Sequence, residues 1–392
     1  MISVSKLLYD TENFGDRLRY NRKAHSQRDG AIEGAGPVVV WNVTRACNLR
    51  CVHCYAAASA EKDSDELTTK QGKKLIDDLA EFKVPVLLFS GGEPLARPDL
   101  LELASYAVGK GIRCVISTNG TLIDRRMAEN IKSAGIGYVG ISLDGIGERN
   151  DKFRGREGAF DKALNGIRNC RLVGQRVGLR FTISKYNYDQ VDDIFDLVER
   201  EEIPRVCFYH LVYSGRGKEI MKDDISHRDT RAVLDLIMKR TEGFFSGGKN
   251  KEILTVDNHA DGVYIYLKLR EQDPVRAERA LHLLKQNGGN RSGIAIGQVD
   301  WRGEVHPDQF TQNYPLGNVK ETPFREIWTG VSNPIMAGLK NRKPLLKGRC
   351  LGCKWLDVCN GNFRPRAEAV YNDFWASDPA CYLTDDEISI EE

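Results

Sequence analysis

The stretch PVVVWNVTRACNLRCVHCY, residues 37–55, decides how the remainder of the chain is read. Its first half is a short apolar, β-rich run. Its second half carries Cys47, Cys51 and Cys54 in the spacing C-x3-C-x2-C, with His53 inside the loop and Tyr55 directly after it. A structural zinc site wants four ligands in a closed tetrahedron. Three thiols in a loop after a strand therefore either recruit His53 as a fourth ligand or leave one metal position open. A [4Fe–4S] cluster held by three cysteines is of the second kind, because one of its irons has no protein ligand. Soft thiolates suit such a cluster. The spacing alone leaves both readings standing.

Working outward, the run before the cysteines is the first of six. VPVLLFS (from Val84), IRCVISTN (from Ile112), IGYVGISLD (from Ile136), VGLRFTIS (from Val177) and PRVCFYHLV (from Pro204) have the same character. Between them lie helical patterns such as TTKQGKKLIDDLAEF, RPDLLELASYAVGKG and FDKALNGIRNCRLVG. Near-continuous apolar strands alternating with amphipathic helices imply βαβ units and a parallel sheet. Six units over residues 37–215 suggest a partial (β/α) barrel with its chemistry in the loops after the strands; a doubly wound open sheet is the competing arrangement. Residues 1–36 read as an N-terminal extension and 216–290 as a helical connecting segment. Residues 291–392 read as a C-terminal domain that opens with two strands around a turn at Arg302 and Gly303.

Composition narrows the class. The chain has 392 residues, 41% hydrophobic and 29% charged, with a formal net charge of +2, so no general attraction to nucleic acid or an acidic membrane is expected. It contains no apolar run long enough to span a bilayer, and its N-terminus lacks the pattern of a signal peptide. A cytoplasmic location is expected. Ten cysteines in a reducing compartment then point to metal or redox chemistry rather than to disulfides. Cys114, Cys170 and Cys207 stand among apolar neighbours as plain buried thiols. Cys350, Cys353, Cys359 and Cys381 form a second set, spaced C-x2-C-x5-C with a distant fourth.

The early triplet with its aromatic resembles the signature of the radical S-adenosylmethionine (SAM) superfamily. In that family the open iron chelates the amino and carboxylate groups of SAM, and the reduced cluster cleaves it to a 5′-deoxyadenosyl radical that abstracts hydrogen. The resemblance implies an α/β fold, a partial (β/α)6 barrel with a C-terminal auxiliary iron–sulfur domain. It also implies SAM contacts at Tyr55; at Gly91, Gly92 and Glu93 in SGGEP; at Ser117 and Asn119 in STNGT; at Ser142 in SLDG; and at Arg154 in FRG. The glycines would let backbone approach the ligand, and Arg154 could pair with a carboxylate. Taken alone, these residues would be a turn, caps and an ion pair.

The late set resembles a shortened SPASM domain. Phe363 stands where the full pattern has another cysteine, and the upstream pair is missing, so one auxiliary [4Fe–4S] cluster on Cys350, Cys353, Cys359 and Cys381 is implied; four thiolates would suit zinc equally. The strings YSGRG, DNHADG, GGNRSG and VHPDQF are similar to the tetrapyrrole-modifying branch of the superfamily. That similarity implies removal of both acetate side chains of 12,18-didecarboxysiroheme to give Fe-coproporphyrin III, with ferredoxin or flavodoxin as electron donor. The alternatives are propionate removal from the same precursor in haem d1 biosynthesis, a SPASM peptide maturase, and a non-catalytic zinc or iron–sulfur protein. An iron tetrapyrrole with several carboxylates needs an apolar slot, a cationic rim and an axial ligand or proton carrier. Arg216, Lys218, Arg291, Arg17, Arg19, Arg22 and Lys23 are the candidates for the rim. His210, His259 and His306 are the candidates for iron or proton.

Overall fold

The computed structural model describes residues 1–20 and 29–389. Its strands are β1 (Ile2–Ser3), β2 (Val38–Asn42), β3 (Val86–Ser90), β4 (Arg113–Thr118), β5 (Tyr138–Ser142) and β6 (Val177–Ile183). They continue with β7 (Arg205–His210), β8 (Glu252–Val256), β9 (Ile296–Val299), β10 (Glu304–His306) and β11 (Gly317–Asn318). All belong to one sheet, in the order β1-β8-β7-β6-β5-β4-β3-β2-β9-β10-β11. From β2 to β8 each strand pairs in parallel with the next.

This strictly sequential order decides between the two arrangements left open above. A doubly wound sheet reverses its strand order at a switch point and carries helices on both faces. Sequential right-handed crossovers instead place every helix on one face, and the sheet curls around the other as a partial barrel. Alternation along each strand then separates the two environments. On β4, Cys114 and Ile116 are fully buried under the helices, while Arg113, Val115 and Ser117 face the concave side.

The helical layer is built from local signals. Helix Thr69–Glu81 starts at a capping box in which Thr68 and Gln71 satisfy each other's backbone N–H groups, and it buries Leu75, Ile76 and Leu79. Each such side chain contributes about 1.5–3 kcal/mol of transfer free energy. Gly72 sits where a Cβ would come within 2.7 Å of the Trp41 ring, so the helix lies directly on β2.

Segment 216–290 is helical over His227–Ser246, Ala260–Gln272 and Pro274–Asn287, but it also supplies β8, which pairs in parallel with β7. The run EILTV is interrupted by Glu252 and Thr255 and follows two lysines, which hides its strand character. The N-terminal residues close this edge: β1 pairs antiparallel with β8, and helix Val4–Tyr9 buries Leu7 and Leu8. On the opposite edge β9 runs parallel to β2 and turns back through Asp300–Gly303 into β10. Gly303 takes φ 91° there, and the Asp300 carboxylate accepts the N–H groups of Arg302 and Glu304. No helix among the described residues is long and apolar enough to cross a membrane.

The C-terminal residues cap the barrel through a buried ion pair. Arg366 and Asp378, both inaccessible to solvent, meet at 2.7 Å. Arg366 also donates to the carbonyls of Leu211 and Asp257, which follow β7 and β8.

Candidate active site

The loop after β2 brings Cys47, Cys51 and Cys54 to the wall of a cavity of about 480 Å³ that extends down the concave face. Its shape is fixed by backbone contacts. Gly92 N–H donates to the Thr44 carbonyl at 2.8 Å, and Glu93 N–H to that of Ala46 at 2.8 Å. A Cβ on Gly92 would fall 2.2 Å from the Ala46 oxygen, so this glycine is required by the cysteine loop itself. On the other side, Arg50 and Val52 donate to the carbonyls of Arg154 and Phe153. The YSGRG string closes the third side: Arg216 donates from Nε to the Cys51 carbonyl and from Nη1 to that of Ala58, each at 2.8 Å. Arg216 thus clamps the loop, although the sequence suggested a substrate rim.

Charge around the triplet is arranged from the barrel side. Arg154 is buried, ion-paired with the fully buried Asp144, and donates to Cys51 Sγ at 3.6 Å. Burial pushes the Cys51 thiol up, and Arg154 opposes the shift. Burial raises Cys47 to about 12. His53 stacks on Phe153 at 4.6 Å, faces Asp144 at 3.5 Å, and is lowered to about 4 by burial.

The other residues singled out in the sequence divide clearly. Gly91, Gly92, Ser117, Asn119, Ser142, Tyr55 and Arg154 all line the cavity. Tyr55 is held by Asn42 and Ser90, each at 3.0 Å. Glu93 lies behind the wall, fully buried, and accepts from Thr118 Oγ1 at 2.6 Å, Asn119 N–H at 2.8 Å and Leu95 N–H at 3.0 Å. Burial raises its carboxyl. In this geometry Glu93 orders the loop after β4. His210 and His259 line the cavity, whereas His306 does not; it sits on β10 beside Asp300 and Glu304. Arg19 and Arg291 line the cavity, while Lys218 and Arg17 are exposed away from it. Arg22 and Lys23 lie outside the described residues.

Residues that the motifs did not single out also face this space. Arg113, Arg180 and Arg205 point inward from β4, β6 and β7. Asp257, after β8, is raised to about 7 by burial. The signal for the arginines was present: in IRCVISTN, Arg113 is in phase with Ser117, so the same face carries both.

The late cysteines occupy a different setting. Cys350, Cys353, Cys359 and Cys381 surround a separate, enclosed cavity of about 20 Å³ together with Ala260, Leu356, Leu383 and Ile388. Burial raises Cys381 to about 11 and pushes Cys359 up further, with the neighbouring thiols adding to both shifts. Four thiolates so placed need a cationic centre. Among the described residues only Asp300, Glu304 and His306 bring three donor atoms within 4.8 Å of one another. Neither thiol set is drawn that tightly, as bonds of about 2.3 Å to one zinc ion would require. All ten cysteines are free of disulfides, and soft thiolates suit an iron–sulfur cluster.

Comparison with known proteins agrees. The model of the radical SAM superfamily matches residues 41–198, and that of the SPASM iron-sulfur cluster-binding domain matches residues 296–354. The chain is 57% identical to the Fe-coproporphyrin III synthase of Methanosarcina barkeri over the full length of both proteins. It is 44% identical to the pre-heme d1 synthase of Dinoroseobacter shibae, covering 89% of this chain and 86% of that one. Among solved structures, SuiB of Streptococcus suis bound to its precursor peptide SuiA superposes with a TM-score of 0.72 at 18% identity, over 92% of this chain and 78% of SuiB. The anSMEcpe enzyme with bound AdoMet and a peptide superposes with a TM-score of 0.66 at 19% identity, over 88% and 93%. Such enzymes use SAM and a [4Fe–4S] cluster, and the C-terminal domain adds an auxiliary iron–sulfur cluster. The chain belongs to the radical SAM superfamily and is a radical SAM enzyme with a SPASM-type C-terminal domain.

Proposed function

We propose that this enzyme is an Fe-coproporphyrin III synthase, which removes the two acetate side chains of 12,18-didecarboxysiroheme. The observation that carries the reading is the 57% identity to the Methanosarcina barkeri synthase without a gap in coverage at either end. Cys47, Cys51 and Cys54 would hold the SAM-binding cluster, and Cys350, Cys353, Cys359 and Cys381 the auxiliary one. When bound, SAM and the first cluster supply a hydrogen-abstracting 5′-deoxyadenosyl radical.

The chain's own residues prepare the site for that chemistry. Gly91 and Gly92 bring backbone to the cavity wall, and the Arg154 guanidinium offers a partner for the SAM carboxylate. Ser117, Asn119 and Ser142 offer polar groups to the ribose. Val40, Leu88 and Val115 form an apolar wall below them, suited to the face of a macrocycle. His210 and Asp257, which also line the cavity, would hold or move a proton there. Ferredoxin or flavodoxin is the expected electron donor, and the cytoplasm the expected compartment.

The test is an anaerobic turnover of cluster-loaded protein with SAM, a strong reductant and 12,18-didecarboxysiroheme, read by mass spectrometry. Loss of two acetates with formation of 5′-deoxyadenosine is expected. Loss of propionates would move the enzyme to the reaction of haem d1 biosynthesis. Deoxyadenosine with an unchanged tetrapyrrole would overturn the substrate.

A further inference from the structure

The floor of the barrel cavity carries more positive charge than the described residues neutralise. At the N-terminal ends of the strands, Arg113 opens β4 and Arg205 opens β7, both lining the cavity, and Glu252 opens β8 as the register partner of Arg205. Arg19 enters from the N-terminal segment, and Arg180 stands one layer higher on β6. The acidic side chains facing this group are Glu252, shared between Arg19 and Arg205, and Asp16, which pairs with Arg19 at 2.9 Å. Among the described residues Arg113 has no carboxylate partner. Its guanidinium stacks on Phe14 at 4.1 Å, its Nε is buried without a hydrogen bond, and its neighbours Arg176, Arg205 and Arg19 repel it, with the charge of Glu252 opposing them. Arg180 likewise lacks a carboxylate among them; it donates to Ser117 Oγ at 2.6 Å, and its Nε is unpartnered.

Burying unpaired charge is costly unless something compensates it. Two glycines on the concave face make room for the polar side chains themselves. At Gly140 a Cβ would lie 2.3 Å from Arg180 Nε, and at Gly178 it would lie 2.4 Å from the Tyr138 hydroxyl, which is itself buried without a partner. Arg113 lies four residues below Ser117 on the same strand face, roughly 13 Å along the barrel at strand rise. An anion at the floor is therefore held far from the cysteine loop, with the apolar wall of Val40, Leu88 and Val115 between them.

We propose that Arg113 and Arg205, with Arg180 above them, form a carboxylate-binding floor. It takes the propionate groups of the tetrapyrrole and so turns the opposite edge of the ring toward the cysteine loop. The inference rests on the tetrapyrrole reading above. It assigns Arg113 as a specificity-determining residue, because a planar guanidinium with no carboxylate beside it can grip an incoming one in bidentate fashion.

The experiment is a Soret-band titration of the anaerobic, cluster-loaded protein with two probes, Fe-coproporphyrin III and its tetramethyl ester. Wild-type protein is expected to bind the free acid more tightly than the ester. Arg113→Gln is expected to weaken free-acid binding by about tenfold or more while leaving the ester unaffected. Arg113→Lys should recover part of the loss. Arg125→Gln, at an exposed helix start away from the cavity, should bind both probes like wild type. Iron content and the melting temperature of each variant report whether it has folded, and Arg205→Gln provides a second route if Arg113→Gln has not. Variants at both positions that bind the free acid like wild type would overturn the floor. An equal loss for acid and ester would also overturn it, because the carboxylates would not be what is read. A matching loss of SAM affinity would reassign Arg113 to the cofactor. Wild-type protein that binds neither probe would instead overturn the tetrapyrrole reading.

Discussion

The two cysteine sets differ in access more than in chemistry. Cys47, Cys51 and Cys54 open onto the large cavity, share it with Arg154 and Ser117, and have no fourth thiol beside them among the described residues. Cys350, Cys353, Cys359 and Cys381 close around their own small space, walled off by Leu383, Ile388 and Ala260. An open metal position serves substrate chemistry, and a closed one serves structure or electron transfer. On the function proposed above, the early set would be the reactive centre, and the late set would act only through what lies between them.

The sharpest way to break this contrast is to remove one thiol from each set. Cys51→Ala should abolish formation of 5′-deoxyadenosine, a loss limited only by the assay background, and should remove about four irons per chain. Cys359→Ala should remove a similar amount of iron yet leave SAM cleavage measurable, while conversion of the tetrapyrrole falls to background. If turnover continued unchanged without the late cluster, any electron-transfer role for it would be lost. If Cys359→Ala also silenced SAM cleavage, the two sets would not be separable.

Most of the early region could be read from the chain, because strand, cysteine loop and glycine turn are contiguous there. VVVWN, the C-x3-C-x2-C loop and SGGEP each carry their meaning within a few residues. Partnerships across the fold were not readable in this way. Arg216 belongs to a string that suggested substrate contact, but its guanidinium reaches two carbonyls of the cysteine loop more than 150 positions away in sequence. Glu93 could be placed at the site from its motif, but not its burial behind the wall against Thr118 and Asn119. Strand β8 was hidden because Glu252 and Thr255 break its apolar run, and it is Glu252 that meets Arg19 and Arg205. A position's phase along a strand says which way it faces, but charge pairing depends on which strands become neighbours.

The connection between the two regions gives the next prediction. Arg366 and Asp378 are both fully buried and hold the late domain to the ends of β7 and β8. Removing one partner leaves an uncompensated charge in the interior, at a cost of about 3–5 kcal/mol. Arg366→Met should therefore lower the melting temperature of the cluster-loaded protein by several degrees. The double variant Arg366→Met with Asp378→Asn should recover part of that loss. Equal melting of wild type and single variant would mean that the ion pair does not join the regions.

The smallest expected effect lies in a series of side chains that runs from the large cavity toward the late cysteines. His210, on the cavity wall, meets Asp261 Oδ2 at 2.9 Å, and Tyr382, next to Cys381, donates to Asp261 Oδ1 at 2.8 Å. Burial disfavours the His210 cation, but the charge and hydrogen bond of Asp261 outweigh it, and the pKa is raised above the ordinary value of about 6.5. A histidine whose pKa is raised by folding stabilises the protein fully below its unfolded pKa, and that stability is lost as pH rises through the folded value. Thermal melts of the anaerobic, cluster-loaded protein should therefore show stability falling from about pH 6.5 upward. His210→Gln should flatten that slope, since its amide can keep a hydrogen bond to Asp261 but cannot titrate. An unchanged slope in the variant would place the pH dependence elsewhere and leave His210 without a charged role between the two centres.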